Sequence, residues 1–355
     1  MKKVVIFGYG LAGKVFHGSL ITAEPGLEVV GILTSNPERQ VQAQSDFPNA
    51  LITGDIEQLW ALNPDLAVVA GANVTHVPLA TDALNRAINV VIDKPIAADA
   101  ASVELLAKTA SNNGINIFPF QNRRWDSDYL TLLKAVQGGT LGVPHRFESR
   151  LQRFRLLSKG GWRDSSAPED LGGVLYDFAP HVVDQAMDLM GPVTSVHAFA
   201  RTVRETPVSD DDLVLILAHQ SGALSYLVGS LVTAIPESRF ELYGDRGAAR
   251  IKATDTQEDR LKSGEIPGPE WGVEPDSSVI ELWVSDDSGD VSYQTLPSER
   301  GSWPNYYSEI AAALRGEGAP TVSIDQAIQT MRVMDAARES VTTHTVVHLD
   351  PSAGH

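Results

Sequence analysis

Over the first third of the chain, short apolar runs alternate with stretches whose apolar residues recur every three or four positions. The runs are rich in Val and Ile and lie at residues 4–7, 27–33, 66–71 and 89–93, and a further run ends at 118–120. Continuous apolar runs are typical of strands that are buried on both faces. Because helix-like stretches such as 77–88 separate them, the pattern predicts an α/β domain with a doubly wound parallel sheet over residues 1–120.

Beyond residue 120, the pattern changes to segments in which apolar and polar residues alternate. We expect strands at residues 145–156, 195–204, 212–220, 223–233, 239–251 and 279–286. Turn-forming residues separate these segments, which indicates an open, mostly antiparallel sheet. Segment 254–276 is rich in Gly, Pro and charge and is predicted to be a loop, whereas 302–341 is predicted to be helical. We therefore assign residues 121–355 to a second α/β domain, whose late helices can pack back on the first.

Composition narrows the class of protein. The chain has 355 residues, of which 43% are hydrophobic, enough for two ordinary cores. Its net charge of −17 disfavours nucleic acid and anionic membranes as partners, since both are polyanions. The chain has no cysteine, which excludes disulfides, thiol catalysis and cysteine-ligated zinc. We expect a cytoplasmic protein, because no signal-peptide pattern opens the chain and no apolar run has the roughly 20 residues that span a bilayer.

The first apolar run leads directly into a glycine-rich loop. The loop reads Gly8-Tyr9-Gly10-Leu11-Ala12-Gly13. A G-x-G-x-x-G spacing between a strand and a helix is typical of dinucleotide binding, and the β-α-β context here strengthens a motif that is weak on its own. The glycines allow a tight turn, a close approach of the pyrophosphate and close helix packing. The loop, with Gly8, Gly10, Leu11, Ala12 and Gly13, is therefore a candidate nucleotide site, with the phosphates at the helix N-terminus.

The end of the second apolar run bears on which nucleotide is bound. Sites selective for NAD usually place an acidic residue there, to bond the ribose 2′-hydroxyl. Here the tip carries Ser35 and Asn36, which can donate to a phosphate, and Arg39 can pair with its charge. This composition favours NADP. Glu38 keeps NAD open, because a shift of one residue in the alignment would bring an acid near the ribose.

Two further stretches carry candidate catalytic groups. Lys94 follows the run at 89–93 and precedes a proline, so it lies at the carboxyl end of a strand, where α/β enzymes bind their ligands. Asp177 and His181 are four residues apart on a predicted helix that opens after paired glycines, so they share one face. The sequence leaves alternatives open. Lys94 fits an ordinary surface lysine, whereas Asp177 and His181 fit a capping Asp beside a buried His, or half of a metal site.

Taken together, these motifs resemble those of the Gfo/Idh/MocA oxidoreductases, over nearly the whole chain. Asp93-Lys94-Pro95 is similar to the family's Glu-Lys-Pro signature, with Asp in place of Glu. Residues 172–184 resemble its G-G-x-L-x-D-x-x-x-H-x-x-D helix, although Phe178-Ala179-Pro180 stands where glycine is frequent. Asn73-Val74-Thr75-His76 resembles the N-x-x-H loop beside the nicotinamide. The family pairs an N-terminal Rossmann domain with a C-terminal α/β domain, which is the architecture expected here.

Further residues resemble one branch of that family, which contains NADP-dependent scyllo-inositol dehydrogenases. These residues are Gln121 to Asp126, Trp162-Arg163, His17 and Tyr306-Tyr307. The branch includes members of uncertain specificity, so the resemblance leaves the substrate open.

The resemblance implies roles for individual residues. Lys94 would hydrogen-bond the reacting oxygen, His181 would be the acid/base, and Asp177 would hold substrate hydroxyls and tune the other two. The cofactor site would include, besides Lys94, the residues Asn73, His76 and Asp93. A polyol needs several hydrogen bonds to fix which carbon faces the cofactor, and the candidates for these are Asn122, Arg123, Trp162 and Arg163. Arg and Trp are also common in cores and ion pairs.

The expected function is hydride transfer between NADP and a secondary alcohol of an inositol or a cyclic sugar. Two alternatives stay open: an enzyme of the same family acting on a dihydrodiol, an imine or a sugar ketone, and a non-catalytic sensor of nucleotide and sugar. No metal is expected to take part. An open sheet with a free apolar face favours a homodimer or homotetramer through the C-terminal sheet.

Overall fold

The computed structural model describes residues 1–157, 165, 171–205, 209–235 and 237–350. The chain forms two compact units, each built from three segments. The first unit comprises Met1–Asn122, Thr256–Trp271 and Ser302–Ile328. The second unit comprises Arg123–Asp255, Gly272–Gly301 and Gln329–His355.

The first unit contains a six-stranded sheet. Its strands are β1 (Lys2–Phe7), β2 (Leu27–Leu33), β3 (Leu51–Thr53), β4 (Leu66–Val69), β5 (Asn89–Ile92) and β6 (Ile117–Pro119). Their order is β3-β2-β1-β4-β5-β6, and every neighbouring pair is parallel. All four residues of β4 are buried, as a central strand covered on both faces requires. This order is the doubly wound Rossmann arrangement, so the predicted sheet is confirmed.

The second unit contains a nine-stranded sheet. Its strands are β7 (Pro144–Gln152), β8 (Val193–Arg201), β9 (Asp212–His219), β10 (Leu224–Ser230), β11 (Phe240–Gly244), β12 (Gly247–Ile251), β13 (Val279–Ser285), β14 (Val291–Pro297) and β15 (Val347–His348). Their order is β14-β13-β12-β11-β7-β10-β9-β8-β15. The pair β7 and β10 is parallel and the other neighbours are antiparallel, which confirms the mostly antiparallel sheet.

Helices connect and cover these strands. They are α1 (Ser19–Thr22), α2 (Pro37–Asp46), α3 (Ile56–Trp60), α4 (His76–Asn85), α5 (Ala100–Asn113), α6 (Ser127–Gln137), α7 (Val174–Asp177), α8 (Ala179–Met190), α9 (Gln257–Lys262), α10 (Pro304–Leu314) and α11 (Ile324–Thr343). A π-helical segment, Ala12–Gly18, precedes α1, and short 3-10 turns form at Asn73–Thr75 and Asn122–Trp125. In the second unit, α8 packs on β7 and β10, and β9 buries Leu213, Leu215 and Leu217 on one face.

Several predicted boundaries are wrong. The strand expected to end at 118–120 is the sixth of its sheet, since the short β3 was not predicted. Segment 239–251 forms two strands, because Gly244 and Gly247 bracket a turn between β11 and β12. The predicted loop at 254–276 contains α9. Strands β14 and β15 were not predicted, and every residue of β14 is exposed, so it lacks the alternating burial that marks a strand.

Candidate active site

The glycine loop follows β1 with no intervening residue and has no space for side chains at two positions. The amide of Gly8 donates to the carbonyl oxygen of Leu33, and its φ of +96° is one that other residues rarely adopt. A Cβ on Gly8 would lie 2.7 Å from Cα of Gly71, and a Cβ on Gly13 would lie 2.0 Å from the carbonyl oxygen of Gly8. The loop therefore packs directly on the segment that follows β4 and on the helical segment that begins at Ala12, as a dinucleotide-binding turn requires.

The segment after the loop is helical, as predicted, but it begins as a π-helix. Residues Ala12–Gly18 are π-helical, and an α-helical turn continues from Ser19. Leu11 occupies the N-cap position, where its apolar side chain makes no capping bond to the first amides. Those amides remain suited to an anion, which helix N-termini attract through unpaired N–H groups. A π-helical turn is frequently found at functional sites.

The tip of β2 brings a positive charge beside the glycine loop. The guanidinium Nη1 of Arg39 lies 3.8 Å from the position that a Cβ on Gly10 would occupy. Asn36 caps α2, since its Oδ1 accepts the amide hydrogen of Arg39 at 3.0 Å. Ser35, Asn36 and Arg39 are all exposed, and Glu38 lies in the first turn of the same helix. The structure therefore brings Arg39, on the helix that Asn36 caps, to the glycine loop.

A second set of contacts ties the glycine loop to the far end of α2. The hydroxyl of Tyr9 donates to Oδ2 of Asp46 at 2.7 Å, and Nζ of Lys14 lies 2.9 Å from the same oxygen. Burial raises the pKa of Tyr9 well above its usual range, and Asp46 raises it further. Sequence reasoning missed this link, because 37 residues separate Tyr9 and Asp46. It holds the helix that carries Arg39 against the loop.

At the carboxyl ends of β4 and β5, the predicted N-x-x-H and D-K-P motifs contact each other. Nδ1 of His76 lies 2.8 Å from the carbonyl oxygen of Pro95. His76 and Asn73 are both buried. Burial lowers the pKa of His76, although Asp93 opposes this. The Lys94–Pro95 peptide bond is cis.

Asp93 engages the main chain of its neighbour. Its Oδ1 accepts the amide hydrogen of Lys94 at 2.7 Å, and its Oδ2 lies 3.8 Å from Nε2 of His17. Burial raises the pKa of Asp93, but His17, Lys94 and His76 outweigh it, so the net pKa lies below the usual value. Asp93 is thus a charged carboxylate at the base of the lysine expected to meet the substrate.

In the second unit, the helix expected across Asp177 and His181 is interrupted between them. Asp177 is the last residue of α7, and His181 lies in the first turn of α8. The break falls at Phe178 (φ −103°, ψ −41°), two residues before Pro180, which lacks an amide hydrogen and favours the first turn of a helix. The prediction of one continuous helix through both residues was therefore wrong. His181 is buried and Asp177 is half-buried.

Helix α8 is fastened to the 3-10 turn that carries Arg123. Nε2 of Gln185 donates to the carbonyl oxygen of Arg123 at 2.9 Å. The guanidinium of Arg124 binds both carboxylate oxygens of Asp184, at 2.5 and 3.0 Å. Burial raises the pKa of Asp184, although Arg124 opposes this rise. Asp184, the last position of the predicted signature, therefore forms a buried ion pair that fixes α8.

The predicted polyol-binding residues differ in their surroundings. Nη1 of Arg123 lies 3.1 Å from Oδ2 of Asp126, so this guanidinium forms an ion pair. Asn122 is buried in the first unit. Trp162 and Arg163 lie outside the described residues.

Among the residues that the structure describes, no group of three or more His, Asp or Glu side chains is arranged to hold a metal ion. No helix in the described part of the chain is long and apolar enough to cross a membrane.

Both parts of the chain match models of one protein family. Residues 2–119 match the oxidoreductase family's NAD-binding Rossmann fold, and residues 134–349 match its C-terminal alpha/beta domain. The chain belongs to the Gfo/Idh/MocA oxidoreductase family. This confirms the resemblance read from the motifs, together with the expected fold class and the expected nicotinamide-dependent dehydrogenase.

Relatives of this Gfo/Idh/MocA protein match it over almost its whole length. The uncharacterized oxidoreductase YdgJ from Escherichia coli K12 is 35% identical, covering 95% of this chain and 96% of YdgJ. IolW from Bacillus subtilis strain 168, a scyllo-inositol 2-dehydrogenase (NADP(+)), is 30% identical, covering 98% of this chain and 96% of IolW. The solved structure of the oxidoreductase YPO2259 from Yersinia pestis superposes with a TM-score of 0.91 at 31% identity. The match covers 98% of this chain and 97% of the YPO2259 chain.

Two further features of this Gfo/Idh/MocA site were not predicted from the sequence. One is the contact between His17 and Tyr307, which are 290 residues apart. The other is Asp210, whose Oδ2 accepts the amide hydrogen of Leu175 at 2.8 Å in the first turn of α7. An Asp before an apolar helix is a usual capping signal, but this one is distant in the chain, so spacing did not reveal it.

Proposed function

We propose that the protein is an NADP-dependent dehydrogenase that oxidises a secondary alcohol of an inositol or a cyclic sugar. The observation that carries the choice of NADP is the Arg39 guanidinium beside Gly10, at a strand tip where an acidic residue would favour NAD. A 2′-phosphate needs a cation of this kind, and arginine binds phosphate through paired donors. Glu38 lies on the same helix, but it follows the capping residue Asn36 and so is not at the strand tip.

The glycine loop fits a dinucleotide independently of that choice. It is closed to side chains at Gly8 and Gly13, and it leads into helix amides that no side chain of Leu11 caps. Ser35 and Asn36 would supply donors to the 2′-phosphate, with Arg39 supplying its charge. Asn73 and His76 would border the nicotinamide, and their burial supports a fixed orientation for both.

The substrate class rests on similarity. IolW is named as an NADP(+)-dependent scyllo-inositol 2-dehydrogenase and matches this chain from end to end at 30% identity. Motifs at 121–126 and at Tyr306-Tyr307 resemble the same branch. Asn122, Arg123, Trp162 and Arg163 are proposed to bond the hydroxyls that select which carbon reacts.

The proposed mechanism separates the proton from the hydride. When bound, NADP⁺ would accept the hydride that leaves the carbon bearing the hydroxyl. His181 takes the hydroxyl proton as that C–H bond breaks, and the product is the ketone. The ammonium of Lys94 donates to the reacting oxygen and stabilises the developing negative charge. Asp177 accepts hydrogen bonds from substrate hydroxyls.

The structure supports a fixed position for two of these groups. The main chain of Lys94 is held by Oδ1 of Asp93. His181 lies on α8, which the Asp184–Arg124 pair and the bond from Gln185 to Arg123 fasten in place. Preorganised charges of this kind account for much of enzymatic rate enhancement, because they need no reorganisation during the reaction.

Initial rates test the proposal. NADP⁺ and NAD⁺ are each offered with scyllo-inositol, myo-inositol, glucose, xylose and a dihydrodiol, and reduction is followed by nicotinamide absorbance. We expect the fastest reduction with an inositol and NADP⁺. Reduction of NAD⁺ alone would overturn the cofactor assignment. No reduction, with both nucleotide and sugar still raising the melting temperature, would favour a sensor.

A further inference from the structure

His17 is a buried histidine to which the proposed mechanism assigns no role. It lies on the π-helical segment Ala12–Gly18, is completely buried, and packs against the ring of Phe120 at 4.2 Å between centroids. An apolar residue would fill such a position at lower cost, since burying a polar ring requires satisfied hydrogen bonds. Its partners therefore bear on its purpose.

The two ring nitrogens of His17 face two different groups. Nδ1 lies 2.7 Å from the hydroxyl of Tyr307, which is also completely buried, and Nε2 lies 3.8 Å from Oδ2 of Asp93. Burial raises the pKa of Tyr307 well above its usual range, and Asp93 raises it further, so the phenol keeps its proton. The phenol then donates to Nδ1, which places the hydrogen of the neutral ring on Nε2. That nitrogen lies 3.8 Å from Oδ2 of Asp93, so its contact with the carboxylate is electrostatic and longer than a hydrogen bond.

Asp93 links this pair to the candidate catalytic lysine. One carboxylate oxygen faces His17, and the other accepts the amide hydrogen of Lys94 at 2.7 Å. The turn is closed on its other side, where His76 bonds the carbonyl oxygen of Pro95. Two buried histidines thus contact the segment that bears Lys94: His76 through the carbonyl oxygen of Pro95 and His17 through the carboxylate of Asp93. The other ring nitrogen of His17 meets the buried hydroxyl of Tyr307.

We propose that His17 and Tyr307 are positioning residues that act through Asp93 on Lys94. The polar ring edge that His17 presents to Oδ2 favours the carboxylate orientation in which Oδ1 accepts the Lys94 amide hydrogen, and it keeps the carboxylate charge at a fixed place beside the lysine. The kinetic part of this proposal rests on the proposed function, in which Lys94 contacts the reacting oxygen. The structural part concerns the environment of Lys94 alone.

The kinetic test is a double-mutant cycle with scyllo-inositol and NADP⁺. Tyr307→Phe and His17→Phe remove the polar contacts while keeping the rings, and each is made in the native chain and with Lys94→Ala. We expect each to lower kcat about tenfold in the native chain and to have little further effect with Lys94→Ala, as for residues that act through one another. Equal factors in both backgrounds, or an unchanged kcat in the native chain, would overturn the proposal.

Tyr306→Phe is the matched control. This variant removes a buried hydroxyl from the same helix, but that hydroxyl donates to the main-chain oxygen of Phe118 rather than to His17. We expect its kcat to stay within about twofold of the native value. If His17→Phe does not fold, His17→Gln keeps a donor near the position of Nε2 and should retain more activity than Tyr307→Phe with Lys94 intact.

A second readout needs neither substrate nor cofactor. The rate at which an amine-acylating reagent modifies Lys94 in the free protein is measured by peptide mass spectrometry. We expect Tyr307→Phe to change this rate by about threefold or more, and Tyr306→Phe to leave it unchanged. An unchanged rate in Tyr307→Phe would refute the positioning role. If Lys94→Ala instead keeps native turnover, the catalytic role of Lys94 fails, while the acylation result still decides whether His17 and Tyr307 act on it.

Discussion

Arg39 is the residue on which the proposed selectivity for NADP depends. Arg39 is exposed and its guanidinium lies beside Gly10, so it is available to a ligand bound at the loop. The helix that carries Arg39 is anchored to the loop by the hydrogen bond from Tyr9 to Asp46. We expect Arg39→Ala to raise the KM for NADP⁺ about 10- to 100-fold, the value of losing a charged hydrogen bond. The KM for NAD⁺ should change little, because NAD lacks the 2′-phosphate.

Glu38→Gln provides the matched control for Arg39→Ala. Glu38 is an exposed neighbour on the same helix, and its replacement removes a negative charge next to Arg39 without removing a donor to phosphate. In this variant, the ratio of the KM for NADP⁺ to the KM for NAD⁺ should stay within about threefold of the native ratio. An equal rise of both KM values in Arg39→Ala would contradict the assignment of Arg39 to the 2′-phosphate.

His181 is the residue that the mechanism makes responsible for the proton. Because general acid–base catalysis contributes about 10²- to 10⁴-fold, His181→Ala should lower kcat by that order. NADPH binding, measured by fluorescence of the nicotinamide, should persist, since His181 is proposed to act on the substrate. His145→Ala, at an exposed histidine, is the control and should behave as the native protein. Native turnover in His181→Ala would contradict the acid–base role.

Contiguous motifs made much of the candidate site predictable at this scale. The loop at 8–13 and the Asp93-Lys94-Pro95 turn each combine residues that are neighbours in the chain, so their spacing indicates chemistry directly. The pairing of Arg124 with Asp184 joins residues 60 apart, and that of His17 with Tyr307 joins residues 290 apart. Such pairs follow from tertiary packing, which spacing along one sequence does not reveal.

At the scale of elements, helix α7 depends on a carboxylate from a distant segment. Asp210 accepts the amide hydrogen of Leu175, and its main-chain oxygen accepts that of Val174. Burial raises the pKa of Asp210 to about 6, in spite of these amides. Between its ordinary value and about 6, the folded protein holds a proton that the unfolded chain has released. Stability is therefore greatest below that window and falls as the pH rises through it.

Asp210→Asn tests this linkage. The variant keeps an oxygen for the Leu175 amide but cannot ionise, so it should lack the loss of stability that the native protein shows between about pH 4 and pH 6. At neutral pH it should be more stable than the native protein, by up to about 3 kcal/mol. Melting temperatures across the pH range provide the measurement. Parallel curves for the two proteins would show that Asp210 does not titrate in this way.

The sequence predicted most of the regular strands and helices, but not the points at which they depart from regular geometry. Apolar runs identified five of the six parallel strands, because burial on both faces demands continuous apolar residues. The π-helical turn at 12–18 and the break at Phe178 lie within sequence patterns that are typical of ordinary helices, so the sequence alone indicated neither irregularity. Short β3 and the exposed β14 carry too little apolar pattern to be recognised.

At the scale of the whole molecule, one face of the nine-stranded sheet bears on assembly. On β9, Leu213, Leu215 and Leu217 are buried on one face, while Val214 and Ile216 point to the other and are half-buried. Phe199 on the neighbouring strand is 49% exposed. Exposed apolar patches of this kind mark interaction sites. We propose that this face forms a homodimer, either alone or within a tetramer.

Light scattering at working concentration should therefore give at least twice the mass of one chain. Ile216→Glu should shift the protein towards the monomer, because it introduces a charge into the apolar face. Val41→Glu, at an apolar residue of the first unit that is 73% exposed, should leave the mass unchanged. A monomeric native protein would contradict the assembly.

Transfer of a labelled hydride from sugar to nucleotide is the direct test of the proposed reaction. The protein is incubated with NADP⁺ and with scyllo-inositol that carries deuterium on every ring carbon, and the nicotinamide product is analysed by mass spectrometry. We expect the native protein to form reduced NADP that carries one deuterium from the sugar, and His181→Ala to form it about 10²- to 10⁴-fold more slowly. Reduced nucleotide without deuterium, or deuterium transfer to NAD⁺ in preference to NADP⁺, would contradict it.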